Sequence, residues 1–409
     1  MADTFNEELL DAMIRHQIGL LRFSGHLRNR IWRILDATEA DMRREIADRL
    51  RRGLPGELTP ANLRRMERVL KGLRETRIKA WSEVTDLWRT ELRAFALAEP
   101  GFVAGIAGTV FPVELGMVLP DPAVLRAIVT AQPFHGKTLS EWAESVQRAD
   151  LDRIVSQVRI GMVQGEHPRQ IARRVVGTLK LKGRDGVTEV TRRQAETITR
   201  TMVNGVGAQA RRELALANQE MGGRQLFVAT LDSRTTPICR ALDGKTWEVD
   251  DPTIPILPLH FGERSLLVMV FDDEVIGDRP VREFTQQGLV REYAEANGLG
   301  PVKGSKRANL PLGHKGSFDA WARQRMRELT GTVPAKTTYG QFLRRQSRKF
   351  QEDVLGVTKA RLFREGGLSL DRFVDAAGNE LPLSDLARFE ADAFRAAGLD
   401  PADFLSTAA

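Results

Sequence analysis

Apolar residues in the first hundred positions recur at helical spacing. Leu10, Ile14, Ile18 and Leu21 come first, then Leu27, Ile31, Ile34 and Leu35, then Met42, Ile46 and Leu50. This spacing predicts helix over nearly all of residues 5–98. Leu54-Pro55-Gly56 interrupts it, and Thr59-Pro60 restarts it as N-cap and first-turn proline. The second stretch carries Leu70, Leu73, Trp81, Val84, Trp88 and Leu92 and is expected to stop before Pro100. Gly101 to Pro122 reads as a Gly/Pro/Val loop and marks a boundary. Helix resumes at Pro122, and again at Thr138, where Glu141 three residues on completes a capping box. Gly165 suits a helix C-terminus, a short helix follows from Pro168, and a long one spans Glu189–Gln219 up to Gly222-Gly223.

The period then changes. Leu226-Phe227-Val228-Ala229-Thr230 and Ser265 to Phe271 are short apolar runs that read as buried, paired strands. Asp243-Gly244 is a tight-turn signal, and Thr246-Trp247-Glu248-Val249 suits a return strand. Beyond Asp272-Asp273 the pattern is loop-like through Pro311, with a short helix near 290–296. Further helices are expected at Phe318–Leu329, from Thr338, and from Leu381 with Ser384 as cap. The fold class is mainly α with a small α+β core: long N-terminal helices, a central sheet of two or a few strands, and a helical C-terminal tail. Three regions follow: 1–118, 119–285 and 286–409.

The chain's 42% hydrophobic and 28% charged residues are those of an ordinary soluble protein, and no apolar run is long enough for a membrane span. The start, Met1-Ala2-Asp3-Thr4, is acidic, unlike a signal-peptide n-region, and one cysteine excludes an internal disulfide. The single cysteine fits a reducing cytosol. A net charge of +7 favours an acidic partner such as nucleic acid, or is simply a basic surface. The pairs Arg43-Arg44, Arg51-Arg52 and Arg64-Arg65, and the tail residues Arg344, Arg345, Arg348 and Lys349, suit phosphate contacts or a solvated face.

The densest chemistry lies between Leu226 and His260. Asp232-Ser233-Arg234-Thr235 leaves the first strand, Cys239 and Asp243-Gly244-Lys245 follow, and Pro258-Leu259-His260 closes the segment. Arg234 looks buried, and is expected either to pair with Asp232 or Asp243 or to donate to loop carbonyls. A catalytic version makes His260 a general base, with Arg234 stabilising a phosphoryl transition state and His314 as a second acid or base. No phosphate-binding loop and no nucleophile elbow occur, which argues against an ATP-driven motor and a serine-type protease.

Strand, Asp-Ser-Arg-Thr, Cys239, Leu242-Asp243-Gly244-Lys245 and Pro-x-His, in that order, resemble the signature of phage head-morphogenesis minor capsid proteins of the Mu F type. The lead-in of Ile160-Gly161 to Gly165, Ile171-Ala172-Arg173-Arg174, and Arg200-Thr201 with Asn204 is similar too, and the Tyr339 to Leu362 block resembles the family's tail. One departure stands out. Where the family usually continues His with Cys-Arg-Cys, this chain has Glu263 and Ser265 around Arg264. Cys239, His260 and Glu263 would be a sparse ligand set for zinc, so no metal and no cofactor is expected. The resemblance implies a non-enzymatic virion protein, made in the host cytoplasm and placed in few copies inside the head near the portal. Its implied partners are the portal, the major capsid or scaffolding protein and, non-specifically, phage DNA, with no membrane. The other reading is a nuclease or toxin-like effector packaged in the virion and delivered with the genome.

Overall fold

The computed structural model describes residues 2–50, 59–110, 116–270 and 278–405. The protein is mainly α with a small α+β core. Its contacts divide it into two compact units: a helical unit of Arg15–Gln219 with Ile254–Glu263, and a mixed unit of Met1–Ile14, Glu220–Thr253 and Arg264–Ala409.

The helical unit is built from α1 (Ala2–Leu50, here from Arg15), α2 (Pro60–Val110), α3 (Pro122–Thr130), α4 (Leu139–Val163), α5 (Pro168–Val176) and α6 (Thr188–Ala217). Leu27, Ile31 and Leu35 of α1 bury against Trp81 and Trp88 of α2 and Ile198, Met202 and Val206 of α6. A second cluster joins Met42, Ile46, Val69 and Leu73 to Val158, Ile171 and Val175. Each such side chain contributes roughly 1.5–3 kcal/mol when fully buried. Three polar tips inside this core converge on one carboxylate. Trp81 Nε1 donates to Asp150 at 3.0 Å and Arg77 Nε to the same carboxylate at 2.8 Å, while the Thr191 hydroxyl donates to its other oxygen at 2.6 Å. Pairing of this kind is what makes a buried charge tolerable.

Proline does not end α2. The helix runs through Pro100 to Val110, because the apolar stripe continues across it: Ala96 before it and Val103 and Ala107 after it are all buried. Their burial offsets the single backbone bond that proline deletes. The loop expected from Gly101 is therefore helical through Val110. The Leu54-Pro55-Gly56 break and the pair Arg51-Arg52 lie outside the described residues. The expected cap at Thr138 is present, its hydroxyl accepting the Glu141 N–H, and Gly165 ends the α4 turn at φ 67°.

The mixed unit holds a three-stranded antiparallel sheet in the order β2-β1-β3, from β1 (Arg224–Val228), β2 (Thr246–Glu248) and β3 (Leu266–Val270). Leu226 pairs with Thr246 on one side and Val268 on the other. The short helix α7 (Pro237–Leu242) fills the β1–β2 connection. A separate antiparallel pair joins β4 (Asp278–Arg282) to β5 (Thr330–Pro334), with α8 (Gln286–Ala296) and α9 (Lys315–Glu328) between them. Neither strand is predicted by pattern: β4 contains a proline, tolerable in a two-stranded edge, and β5 is mostly exposed. The tail folds as α10 (Tyr339–Arg345), α11 (Arg348–Leu355), α12 (Val357–Arg364), α13 (Leu383–Phe389) and α14 (Ala391–Ala396). Tyr339, Phe342, Leu362, Phe363, Leu386 and Phe394 form its core together with Leu231 and Val281. Ser384 is not the cap of α13; Pro382 stands at that position and offers no side-chain acceptor.

Candidate functional site

In the mixed unit the Asp232 loop is tied down by its own side chains. The Arg234 N–H donates to Asp232 Oδ1 at 3.0 Å, the Thr235 hydroxyl donates to the Thr230 carbonyl, and Ser233 Oγ donates to the Phe284 carbonyl at 3.0 Å. Asx-type turns of this kind follow from a short acceptor placed two residues before a free amide. The Asp232 carboxylate is buried and takes a two-pronged hydrogen bond from Arg264, at 2.5 and 2.8 Å. Arg282 reaches the same group at 3.5 Å. Burial alone pushes the Asp232 carboxyl up, but the Arg264 hydrogen bonds and charge, with the Arg234 amide, outweigh it and hold the group below its ordinary value. Burial disfavours charge on Arg264 in turn, and Asp232 overcomes that, raising its pKa.

Asp243 is the second anchor. Its Oδ1 accepts the Ala229 N–H at 2.7 Å and Arg279 at 3.0 Å. Its Oδ2 accepts the Tyr339 N–H at 2.6 Å and Arg279 at 3.1 Å. Arg279 also donates to the carbonyls of Thr337, at 3.0 Å, and Ala229. The Tyr339 hydroxyl donates to the Asp232 carbonyl at 2.8 Å, and burial pushes its phenol above the ordinary range. Arg240 donates to the Thr235 carbonyl at 2.6 Å and to that of Val354 at 3.2 Å, its guanidinium lying 5.8 Å from the Tyr339 ring centre. Gly244 makes the turn at φ 84°, with Thr338 Cγ2 only 2.8 Å from where a Cβ would stand. Cys239 is buried on α7.

The arrangement is a knot. Asp232, Ser233, Thr235, Asp243 and Arg264 join β1, β3, β4 and α10 through saturated hydrogen bonds. Arg234 is exposed rather than buried, and its charge helps to lower the Asp232 carboxyl, while Arg264 and Arg279 make the close ion pairs with Asp232 and Asp243. Arg279 and Tyr339 carry as much of the knot as the motif residues themselves, and their partners lie far off in sequence.

Residues 152–261 match the family described as Phage Mu protein F like protein. This stretch is a Mu F-like region. Residues 1–151 and 262–409 lie outside the match. Neither the curated proteins nor the solved structures contain a match to the chain.

The Mu F-like region begins inside α4 and ends at Phe261, so it includes α5, α6, the β1–β2 connection and the Pro258-x-His260 segment. Two of its features in the helical unit explain the polar residues Thr201 and Asn204 on the buried stretch of α6. Thr201 accepts the Gly262 N–H at 2.9 Å while donating to the Thr197 carbonyl, and Asn204 accepts from Gln17 at 2.8 Å. Gly205 leaves room for Pro258, whose Cδ lies 2.8 Å from the site of an added Cβ. His260 is half-buried, its Nδ1 3.1 Å from the Phe261 carbonyl. Phe261 stacks on His135 at 4.7 Å and meets Trp142 edge-on at 5.2 Å. Burial, and then the charge of His260, lower the His135 imidazole pKa. Glu263, standing where the family usually has cysteine, is buried and accepts the Leu259 N–H, closing that turn. His314 belongs to the mixed unit, where its Nδ1 lies 3.3 Å from the Tyr293 hydroxyl.

The basic candidates divide by what they touch. Arg43 donates to the carbonyls of Val176, at 3.1 Å, and Gly177, at 2.7 Å, and Arg44 pairs with Asp41. Arg344 lies 4.4 Å from the Phe363 ring centre, and Arg348 and Lys349 share Glu352 at 2.9 and 3.3 Å. Arg64 and Arg345 are exposed, and Arg65 is half-buried. No helix among the described residues is long and apolar enough to cross a membrane.

Proposed function

We propose that the chain is a minor head protein of a tailed phage that acts in procapsid assembly, present in few copies on the head interior near the portal. There it meets portal, major capsid or scaffolding protein, and packaged DNA. The Mu F-like match over residues 152–261 carries this reading. Long helices with exposed arginines suit docking to protein surfaces and to phosphates without reading base sequence. The role is non-enzymatic. A phosphoryl-transfer site needs acid–base groups with open lone pairs, whereas Asp232 and Asp243 commit theirs to arginine forks and backbone amides. The test is a deletion of the coding region with complementation in trans. Accumulation of empty or aberrant heads, reversed by the intact chain, is the expected outcome. Normal infectious heads without the chain would end the assembly reading, and RNA or DNA cleavage lost in His260→Ala would favour the packaged effector.

A further inference from the structure

Beside the Asp232 loop the mixed unit opens into a cavity of about 460 Å³ that includes Asp232, Ser233, Arg234, Arg282, Phe284 and Arg327 in its wall. The wall thus carries three arginines and one carboxylate, and Arg264 already bridges both oxygens of that carboxylate. Arg282 and Arg327 are exposed cations of this wall. Arg327, in the last turn of α9, is exposed, and its side chain makes no hydrogen bond or ion pair among the described residues. The nearest acidic side chains in sequence are engaged: Glu283 accepts from Gln346 at 3.1 Å and Glu328 from Arg325 at 2.9 Å. Guanidinium forks match the oxygens of a phosphate better than any other common anion except a carboxylate. Phe284 and Met326 also line the cavity, beside Gln286 and Thr330, and offer apolar surface for a base or sugar. The volume also exceeds what a lone phosphate fills.

We propose that this cavity binds a phosphate-bearing nucleotide unit, within a nucleic-acid strand or free. In its strand form the proposal rests on the DNA contact suggested above, but it moves that contact away from Arg43–Arg65 and Arg344–Lys349. The test is fluorescence anisotropy of the full chain with a labelled ten-thymidine strand across a salt series. Arg282→Ala with Arg327→Ala is expected to weaken binding at least tenfold and to flatten the salt slope by about 1.4, at roughly 0.7 per lost phosphate contact. Both side chains are exposed, so the melting temperature is the folding check, and Arg327→Glu alone, which disturbs no described partner, is the second variant. Displacement of the strand by AMP identifies a free nucleotide as sufficient, while resistance to AMP identifies the strand; each supports the site. Full-strength binding in both variants, lost instead in Arg344→Ala with Arg345→Ala, overturns the cavity and keeps the DNA contact. Absence of binding by the unmodified chain overturns both. Equal displacement by polyglutamate also overturns the nucleotide assignment, because it reduces the cavity to a charge.

Discussion

Replacing Asp243 by alanine removes four hydrogen bonds at once. Its two oxygens hold the amides of Ala229 and Tyr339 and both terminal nitrogens of Arg279. The pair is inaccessible to water, with the Asp243 side chain 0% and that of Arg279 5% exposed. Without the carboxylate the guanidinium keeps only the carbonyls of Ala229 and Thr337, and its charge is uncompensated. Breaking a buried pair from one side costs roughly 3–5 kcal/mol, a range that already includes much of the cost of the orphaned amides. At about 1.4 kcal/mol per tenfold, opening of the knot becomes roughly a hundred to several thousand times more frequent. Hydrogen exchange read by mass spectrometry over residues 226–231 and 339–345 measures this directly. Peptides over 139–163, which contain no partner of Asp243, serve as the reference. A second variant, Asp243→Ala with Arg279→Met, is expected to recover much of the protection, since neither charge remains buried. Acceleration below about tenfold in the single variant, or a double variant that is simply the sum of two losses, would refute the view that this pair holds the loop.

Asp232 makes the same point through pH. Its carboxyl is held below the ordinary value in the folded chain, so its contribution to stability is present above the unfolded carboxyl pKa, near 4, and is lost as pH falls through the lower folded value. Arg264→Gln is expected to move the acid transition of the mixed unit to higher pH, followed by near-ultraviolet circular dichroism; an unmoved transition contradicts the assignment. Gly244→Ala places a Cβ 2.8 Å from Thr338 Cγ2 at φ 84° and is expected to destabilise by about 2 kcal/mol in urea titration, with a neutral result counting against the turn geometry. Gly205→Leu drives a side chain into Pro258 and is expected to lower the yield of folded protein more than Gly101→Leu, whose site meets nothing within 4 Å.

What could be read from the sequence was local. β1, β2 and β3 are short apolar runs bounded by turn residues, and Asp243-Gly244 announces its own backbone geometry, so the central sheet is visible before any coordinates. The family signature was legible for the same reason, as motifs in a fixed order, and the match over residues 152–261 covers those from Ile160 to His260 but not the Tyr339–Leu362 block. Partners across long separations were not. Arg279 stands 36 residues and Tyr339 96 residues from Asp243, and no local pattern ties them together. Arg234 sits beside Asp232 in sequence, whereas the two-pronged bond to that carboxylate comes from Arg264, 32 residues on. Pro100 failed as a stop signal because packing on both sides of it outweighs one missing backbone bond.

Where the protein is found separates a head protein from a free cellular one most directly. Quantitative mass spectrometry of purified, DNA-filled heads, with the portal protein as internal reference, measures it. A low and fixed ratio of this chain to portal is the predicted result. Its absence from heads, with the chain left free in the infected cell, would contradict the head-protein reading.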